Sequence, residues 1–358
     1  MKILSITPWN IKFLELMSNK PIESLYADFS HYIQDGVVIP SSCSHPVDNN
    51  CYAVSPLTLI TGYAQDELPK INNLWIRLVL LGLIKALTPV LKLARLNRVQ
   101  TLNNQCLSTN MYSEGWRDLN IESLRQQAIR KEPAMPLQLR SLNEAQHETI
   151  IKRLKKDGWI ALVTRQVYLY KSWNDFVVSR DFKRDLKLQE DISWQYKKLS
   201  TPEEFAKAKQ LYDMLYLKKY SMNNIRFSQS YMEQTSNKGL IKFIGLFHRG
   251  KMLAVLGIAI IGNDMTCPIV GYDTTKPRNL NLYRRISVYI ISYAWHNKLD
   301  FNMSSGAPSF KSNRKAKPEI EYSYIYVQHL PVFQRAVWGV LSAMGNRIYR
   351  PLLTHYKL

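Results

Sequence analysis

The stretch GKMLAVLGIAIIGNDMTCPIVGYDTTKPRNLNLYRRISVYIISYAWHNKLDFNMSSGAPSFK, residues 250–311, runs through strand, turn and helix patterns in a fixed order. Residues 252–261 read as a strand. Gly262, Asn263 and Asp264 make a hairpin turn, and 265–272 is the returning strand. After a Pro-containing loop at 274–279, residues 280–298 place Tyr283, Ile286, Ile290, Tyr293 and Ala294 along one side of a helix. Residues 299–305 return to strand before the Ser-Ser-Gly-Ala-Pro break. Upstream, 240–247 is a strand joined to the run by a His248-Arg249-Gly250-Lys251 turn. Downstream, a basic loop leads to a strand at 319–328 and an amphipathic helix at 331–349 carrying Phe333, Val337, Leu341 and Met344. The order is β-β-β-α-β-loop-β.

This half begins near Tyr196. Thr201-Pro202-Glu203-Glu204 is a helix start, with Thr201 as cap, Pro202 in the first turn and Glu204 completing a capping box. Phe205, Ala208, Tyr212 and Leu215 give that helix its apolar stripe, and Ser228 caps a second, shorter one. Before it, residues 1–195 mix helix and strand. A helix is expected around 21–32 and a loop at 40–50. Helices follow at 121–130 and 144–156, the latter stopped by Asp157-Gly158, and strands at 137–143 and 159–170. Asn103, Asn104 and Asn110 read as turn residues bonding their own backbone. Residues 182–188, FKRDLKL, precede a Trp- and Lys-containing connector that runs to Ser200. With 358 residues, two halves, 1–195 and 196–358, are expected, in a mixed α/β fold.

LWIRLVLLGLIKALTPVLKL, residues 74–93, is the most apolar run, interrupted by Arg77, Lys85, Pro89 and Lys92. Those cations and Thr88 share roughly one helical face. Packing in the core is the expected role; the other reading is a helix lying in a membrane interface with its cations toward anionic lipid.

Hydrophobic residues make up 46% and charged residues 21%, which excludes wholesale disorder. The net charge of +20 sets a field that attracts polyphosphate cofactors, nucleic acid or anionic lipid. Cys43, Cys51, Cys106 and Cys267 are too few and too scattered for a disulfide framework, so reduced cytosolic thiols are expected. Cys43, His45 and Cys51 lack a second pair to complete a zinc quartet, and no metal is expected. The N-terminal stretch lacks a full apolar core and a cleavage site, so a secretory signal is not expected.

The element order, with GKMLAVLGIAII (250–261), GYDTTKPRNLNLYRRISVYIISYAW (271–295) and FNMSSGAPSFK (301–311), resembles the GCN5-related N-acetyltransferase (GNAT) superfamily, in the tandem form related to the Fem peptidyl transferases. The resemblance implies two GNAT-like halves, the first degenerate, each a mainly antiparallel sheet flanked by helices. One departure stands out. Residues 276–285, KPRNLNLYRR, hold no glycine where the CoA-binding enzymes cradle pyrophosphate on backbone amides. Lys276, Arg278, Arg284 and Arg285, with Lys311, Arg314 and Lys315 of the basic loop, are then the expected phosphate contacts.

The implied chemistry is direct transfer of an acyl group from a thioester, on CoA or an acyl carrier protein, to an amine or hydroxyl of a small molecule. Asp273 or Glu321 would be the base, Ser305 with the backbone after Gly306 would hold the donor, and Tyr272, Asn302 and Ser304 would contact substrate. Two other readings stay open: an aminoacyl-tRNA-dependent transferase, and a non-catalytic binding protein on the same scaffold. The expected location is the cytoplasm, with peripheral contact at the inner membrane surface through 74–93.

Overall fold

The computed structural model describes residues 6–48, 50–62, 65–66, 68–70, 73–112, 114–173 and 176–356. Eleven strands form one sheet: β1 (Ala27–Gln34), β2 (Val37–Ser44), β3 (Gln100–Leu102), β4 (Leu137–Leu142), β5 (Ile160–Tyr170), β6 (Trp194–Lys198), β7 (Ile241–His248), β8 (Lys251–Ile261), β9 (Asp264–Tyr272), β10 (Asp300–Asn302) and β11 (Lys317–Tyr326). Their spatial order is β1-β2-β3-β4-β11-β5-β10-β9-β8-β7-β6. Only β3 with β4 and β9 with β10 run parallel; every other neighbouring pair is antiparallel. β5 pairs with β10, and β11, the final strand, inserts between β5 and β4.

The helices are α1 (Ile6–Ser18), α2 (Leu74–Leu93), α3 (Ile121–Lys131), α4 (Glu144–Lys156), α5 (Arg180–Leu186), α6 (Pro202–Tyr212), α7 (Gln229–Asn237), α8 (Leu282–His296), α9 (Pro308–Asn313), α10 (Val332–Met344) and α11 (Arg350–Tyr356). β8 is buried along almost its whole length, as its two-faced apolar run requires. α8 covers it with Leu282, Ile286, Ile290, Ile291 and Ala294. The capping box at Thr201 forms: its hydroxyl accepts from Glu204 N at 3.3 Å, and Glu204 reaches back to the Thr201 amide. Ser228 caps α7 by accepting from Tyr231 N at 3.0 Å.

Four stretches depart from the sequence reading. Residues 27–34 are strand, not helix, because Asp35 and Gly36 both take positive φ and turn β1 back onto β2. Residues 194–198, read as connector, pair with β7 as the edge strand. The strand expected over 299–305 ends at Asn302, whose side-chain carbonyl takes the Ser304 amide at 2.8 Å while Ser304 adopts φ +60°. The basic loop after it contains α9, opened by Ala307 in the left-handed region and Pro308 at the first helical position. A fifth correction concerns α2. It lies on the surface with Leu91 alone buried, so the expected core role fails.

Where β9 and β10 pair, Asp264 stands opposite Asp300. Burial, reinforced by the Asp300 charge, raises the Asp264 carboxyl to about 7. A folded-state pKa above the unfolded one means stability is full below about 4 and is lost as pH rises through about 7. Between pH 5 and 8 the wild type should lose about 2 kcal/mol through this group, and Asp264→Asn should flatten the trend. Chemical denaturation at the two pH values reads it; an equal slope in both proteins refutes the assignment.

Candidate functional site

β10 matches β9 over three residues only, Asp300–Asn302 against Asp264–Thr266, while β9 continues to Tyr272. Beyond Asn302, no strand among the described residues lies between β9 and β5. There β9 and β5 lie two strand spacings, roughly 10 Å, apart. Residues 303–307 and α9 come next.

The loop there is held from inside. Lys311 is 3% exposed, and its Nζ donates to the carbonyls of Met303 at 2.8 Å, Ser304 at 3.0 Å and Ser305 at 2.8 Å. The Tyr168 amide donates to Ser304 O at 3.3 Å, which ties the same turn to β5. Burial pushes the Lys311 ammonium down to about 7, and the nearby Arg165 charge adds to the effect.

Aromatic hydroxyls gather toward the end of β9. Tyr272 at the end of β9 lies 6.2 Å, ring to ring, from Tyr283 of α8, which meets Phe310 of α9 at 4.7 Å. Lys219 Nζ approaches the Tyr272 hydroxyl at 3.4 Å. Burial raises Tyr283 to about 12 and pushes Tyr216 still further up, with Tyr283, Tyr52 and Tyr220 as its charged-state neighbours. Gly271 is required here: a Cβ would come within 2.5–2.8 Å of the Leu211–Tyr212 backbone, so α6 seats directly on β9.

Deeper in, a small cavity of about 20 Å³ is lined by Tyr52, Arg140, Ser141, Thr164, Arg165, Glu321 and Ser323, room for about one water. Glu321 and Arg165 face each other across β11 and β5 and form a two-pronged ion pair at 2.7 and 3.2 Å. Arg165 also donates to Ser108 O and Thr109 Oγ1, both at 3.1 Å. Arg140 is buried and donates to the carbonyls of Ala53 and Leu107 at 2.9 and 2.8 Å. Asn103, Asn104 and Asn110 are buried in the same network. Asn104 Nδ2 donates to Ser42 Oγ at 2.9 Å, and Asn110 Oδ1 accepts from the Cys106 amide at 3.2 Å.

Tyr272 and Asp273 end β9 beyond Thr266, the partner of Asn302, so roughly 20 Å of strand separates them from Asn302, while Ser304 and Ser305 follow Asn302 at the end of β10. Asn302 is buried and shapes the turn; Ser305 is exposed. Asp273 accepts from Thr275 N at 3.0 Å and Thr275 Oγ1 at 2.6 Å. Burial works to raise its carboxyl, but these bonds and the Lys276 and Lys207 charges outweigh it and hold it below the usual range. Glu321 stands apart, on a strand three positions from β9 in the sheet, roughly 14 Å away. It pairs with Arg165, not with Lys311.

The seven cations expected to meet phosphate divide. Arg284 and Arg314 both bind Asp185 at 2.6 Å, and Arg285 pairs with Asp191 at 3.0 Å beneath Trp194. With Lys311, these four are committed to internal partners. Lys276, Arg278 and Lys315 are exposed, Lys276 lying 4.0 Å from Asp273. Lys315 stands at a surface groove of about 510 Å³ shared with Arg180 and Ser312. Arg165, Arg140, Tyr52 and Tyr216 were not singled out from the sequence. A charge in the middle of WIALVTRQVYLY was the available sign, since a strand that apolar buries an arginine only against a partner. Among the described residues no group of three or more His, Cys, Asp or Glu side chains is placed to hold a metal.

Neither a protein-family model nor a curated protein matches the sequence. Solved structures do match the fold along almost the whole chain. L-PGS from Bacillus licheniformis aligns over 97% of this chain and 100% of its own at a TM-score of 0.51 and 11% identity. The C-terminal domain of a putative lysylphosphatidylglycerol synthetase from Agrobacterium fabrum aligns over 92% and 96% at 0.52 and 10%. FemX aligns over 92% and 93% at 0.54 and 8%. The fold is thus a mixed α/β one, a large mixed sheet flanked by helices, shared with these three structures.

Proposed function

We propose that this chain is a transferase that moves an acyl or aminoacyl group onto an amine or hydroxyl acceptor. The observation that carries the reading is the parting of β9 from β10 after three paired residues, with the Tyr272–Tyr283 pair at the end of β9, in a fold shared with FemX and L-PGS over 92% and 97% of the chain. Fold likeness alone does not give function, so the chemistry there has to agree. Hydroxyl and amide donors at these strand ends suit the oxyanion that forms during acyl transfer. Asp273 at the end of β9 and Glu321 on β11 are the carboxylates available to take the acceptor's proton.

A thioester on CoA or an acyl carrier protein is the first donor to test. Aminoacyl-tRNA is the second, favoured by a specific observation: Arg284 and Arg285, at the start of α8, are spent on Asp185 and Asp191, leaving less for a pyrophosphate there. Offering acyl-CoA, acyl carrier protein and charged tRNA in parallel should give turnover with one of them. The Asp273→Asn, Glu321→Gln double variant should lower that turnover at least about 100-fold. Loss of turnover on RNase treatment assigns the tRNA donor. Turnover by none of the three, or full turnover in the double variant, removes the reading.

A further inference from the structure

α2 is apolar nearly all round. The side turned to the body carries Arg77, Leu80, Leu81, Ile84, Thr88, Leu91 and Lys92, while Trp75, Val79, Leu83, Leu87 and Val90 on the opposite arc face solvent. Trp75 is 78% exposed and Val79 60%. The surface does not stop there. Trp338 Nε1 of α10 donates to Ala94 O at 3.0 Å and Gln334 Nε2 to Leu93 O at 3.3 Å, so α10 abuts the end of α2. α10 and the turns after it expose Phe333, Val340, Met344 and Ile348 in their turn. Soluble monomers rarely leave apolar surface of this extent uncovered.

Charge says what covers it. No acidic residue occurs between Glu67 and Glu114, and none after Glu321. Arg77 and Lys85 on α2, and Arg335, Arg347 and Arg350 on the other segment, flank the apolar side chains. Asp48, paired with Lys92 at 2.5 Å, is a carboxylate at the end of α2. A long apolar face on two segments that carry cations and no acidic residue matches an anionic lipid surface, with Lys and Arg stems reaching to headgroups and Trp at the boundary.

We propose that α2 and α10 form one docking face that seats this protein in the plane of an anionic bilayer. A crossing helix does not fit. α2 has 20 residues, about 30 Å, enough to span. Yet both its ends are fastened to the same folded body. Before it, Leu68 is buried and Asp66 accepts from Ser221 and Asn223; after it, Leu91, Ala94 and Leu96 are buried. A span would put those ends on opposite sides of the membrane. The proposal stands independently of the transfer reading.

Sedimentation with vesicles tests it. The full chain should bind vesicles of phosphatidylcholine with phosphatidylglycerol at least about tenfold better than phosphatidylcholine alone, less so at high salt. A blue shift of tryptophan emission on binding should vanish in Trp75→Ser. Leu83→Glu, Leu87→Glu changes only exposed positions; it should keep the native circular dichroism and lose at least about tenfold of the vesicle affinity. Three results overturn the proposal: no binding by the wild type, binding that alkaline carbonate cannot reverse, or a dimer in solution that the double glutamate variant dissociates.

Discussion

Asp185→Ala should destabilise the fold by about 3–5 kcal/mol. Asp185 is fully buried in α5 and receives Arg284 from α8 and Arg314 from α9, each at 2.6 Å. Arg314 is itself 4% exposed and lies over the Phe310 ring at 3.4 Å. Removing the carboxylate leaves that guanidinium buried beside an aromatic face with no counter-charge, which is the costly half of breaking a buried pair. Arg284, a third exposed at its side chain, can turn to water and adds less. A second change separates the two contributions: Asp185→Ala, Arg314→Met removes the stranded charge and should recover much of the loss. Urea denaturation of both variants measures this. A double variant no more stable than Asp185→Ala would mean that packing, not the unpaired charge, sets the cost.

Asp185 also shows why the fold could be read further than the site. The strand, turn and helix order of 240–305 is written in local pattern: an apolar run for β8, Gly262-Asn263-Asp264 for the hairpin, a 3.6-residue stripe for α8. Each depends on neighbours in sequence. The Asp35-Gly36 turn between β1 and β2 was equally local and was passed over because the flanking ADFSHYIQ carries too few apolar residues to advertise a strand. The cations are different. KPRNLNLYRR and FKSNRK look alike as basic stretches, yet Arg284, Arg285 and Arg314 end on carboxylates 94 to 129 residues away, and Lys311 on three carbonyls of its own loop. Nothing in the spacing of a lysine says whether it faces water. The Glu321–Arg165 pair, 156 residues apart, exists only because β11 inserts between β4 and β5, a topology no local pattern announces. The outward face of α2 has the same origin: its composition is that of a core helix, and only its placement reveals that no core accepts it.

Lys311→Met should loosen the turn after β10 without unfolding the protein. The methionine keeps most of the buried stem and removes the three donors that gather the carbonyls of Met303, Ser304 and Ser305. These carbonyls lie in a turn with Ser304, Gly306 and Ala307 all at positive φ, a shape that a free loop would abandon. Amide exchange over 303–307 should quicken at least about tenfold. Where a donor has been identified, turnover should fall about 100-fold, the scale of a reacting group displaced by about 1 Å. The pH dependence sharpens the test. Burial holds the ammonium at about 7 in the folded chain against about 10.4 when unfolded, so this lysine adds stability above the unfolded value, and that stability is lost as pH falls through 7. The turn responds in the opposite sense: above pH 7 the neutral amine has two donors for three carbonyls, and one is released. Wild-type protein should therefore grow more resistant to urea between pH 7 and 9 while its 303–307 amides exchange faster than base catalysis alone accounts for. Both trends should be flat in Lys311→Met. If the two move together, or persist in the variant, Lys311 does not hold the turn after β10.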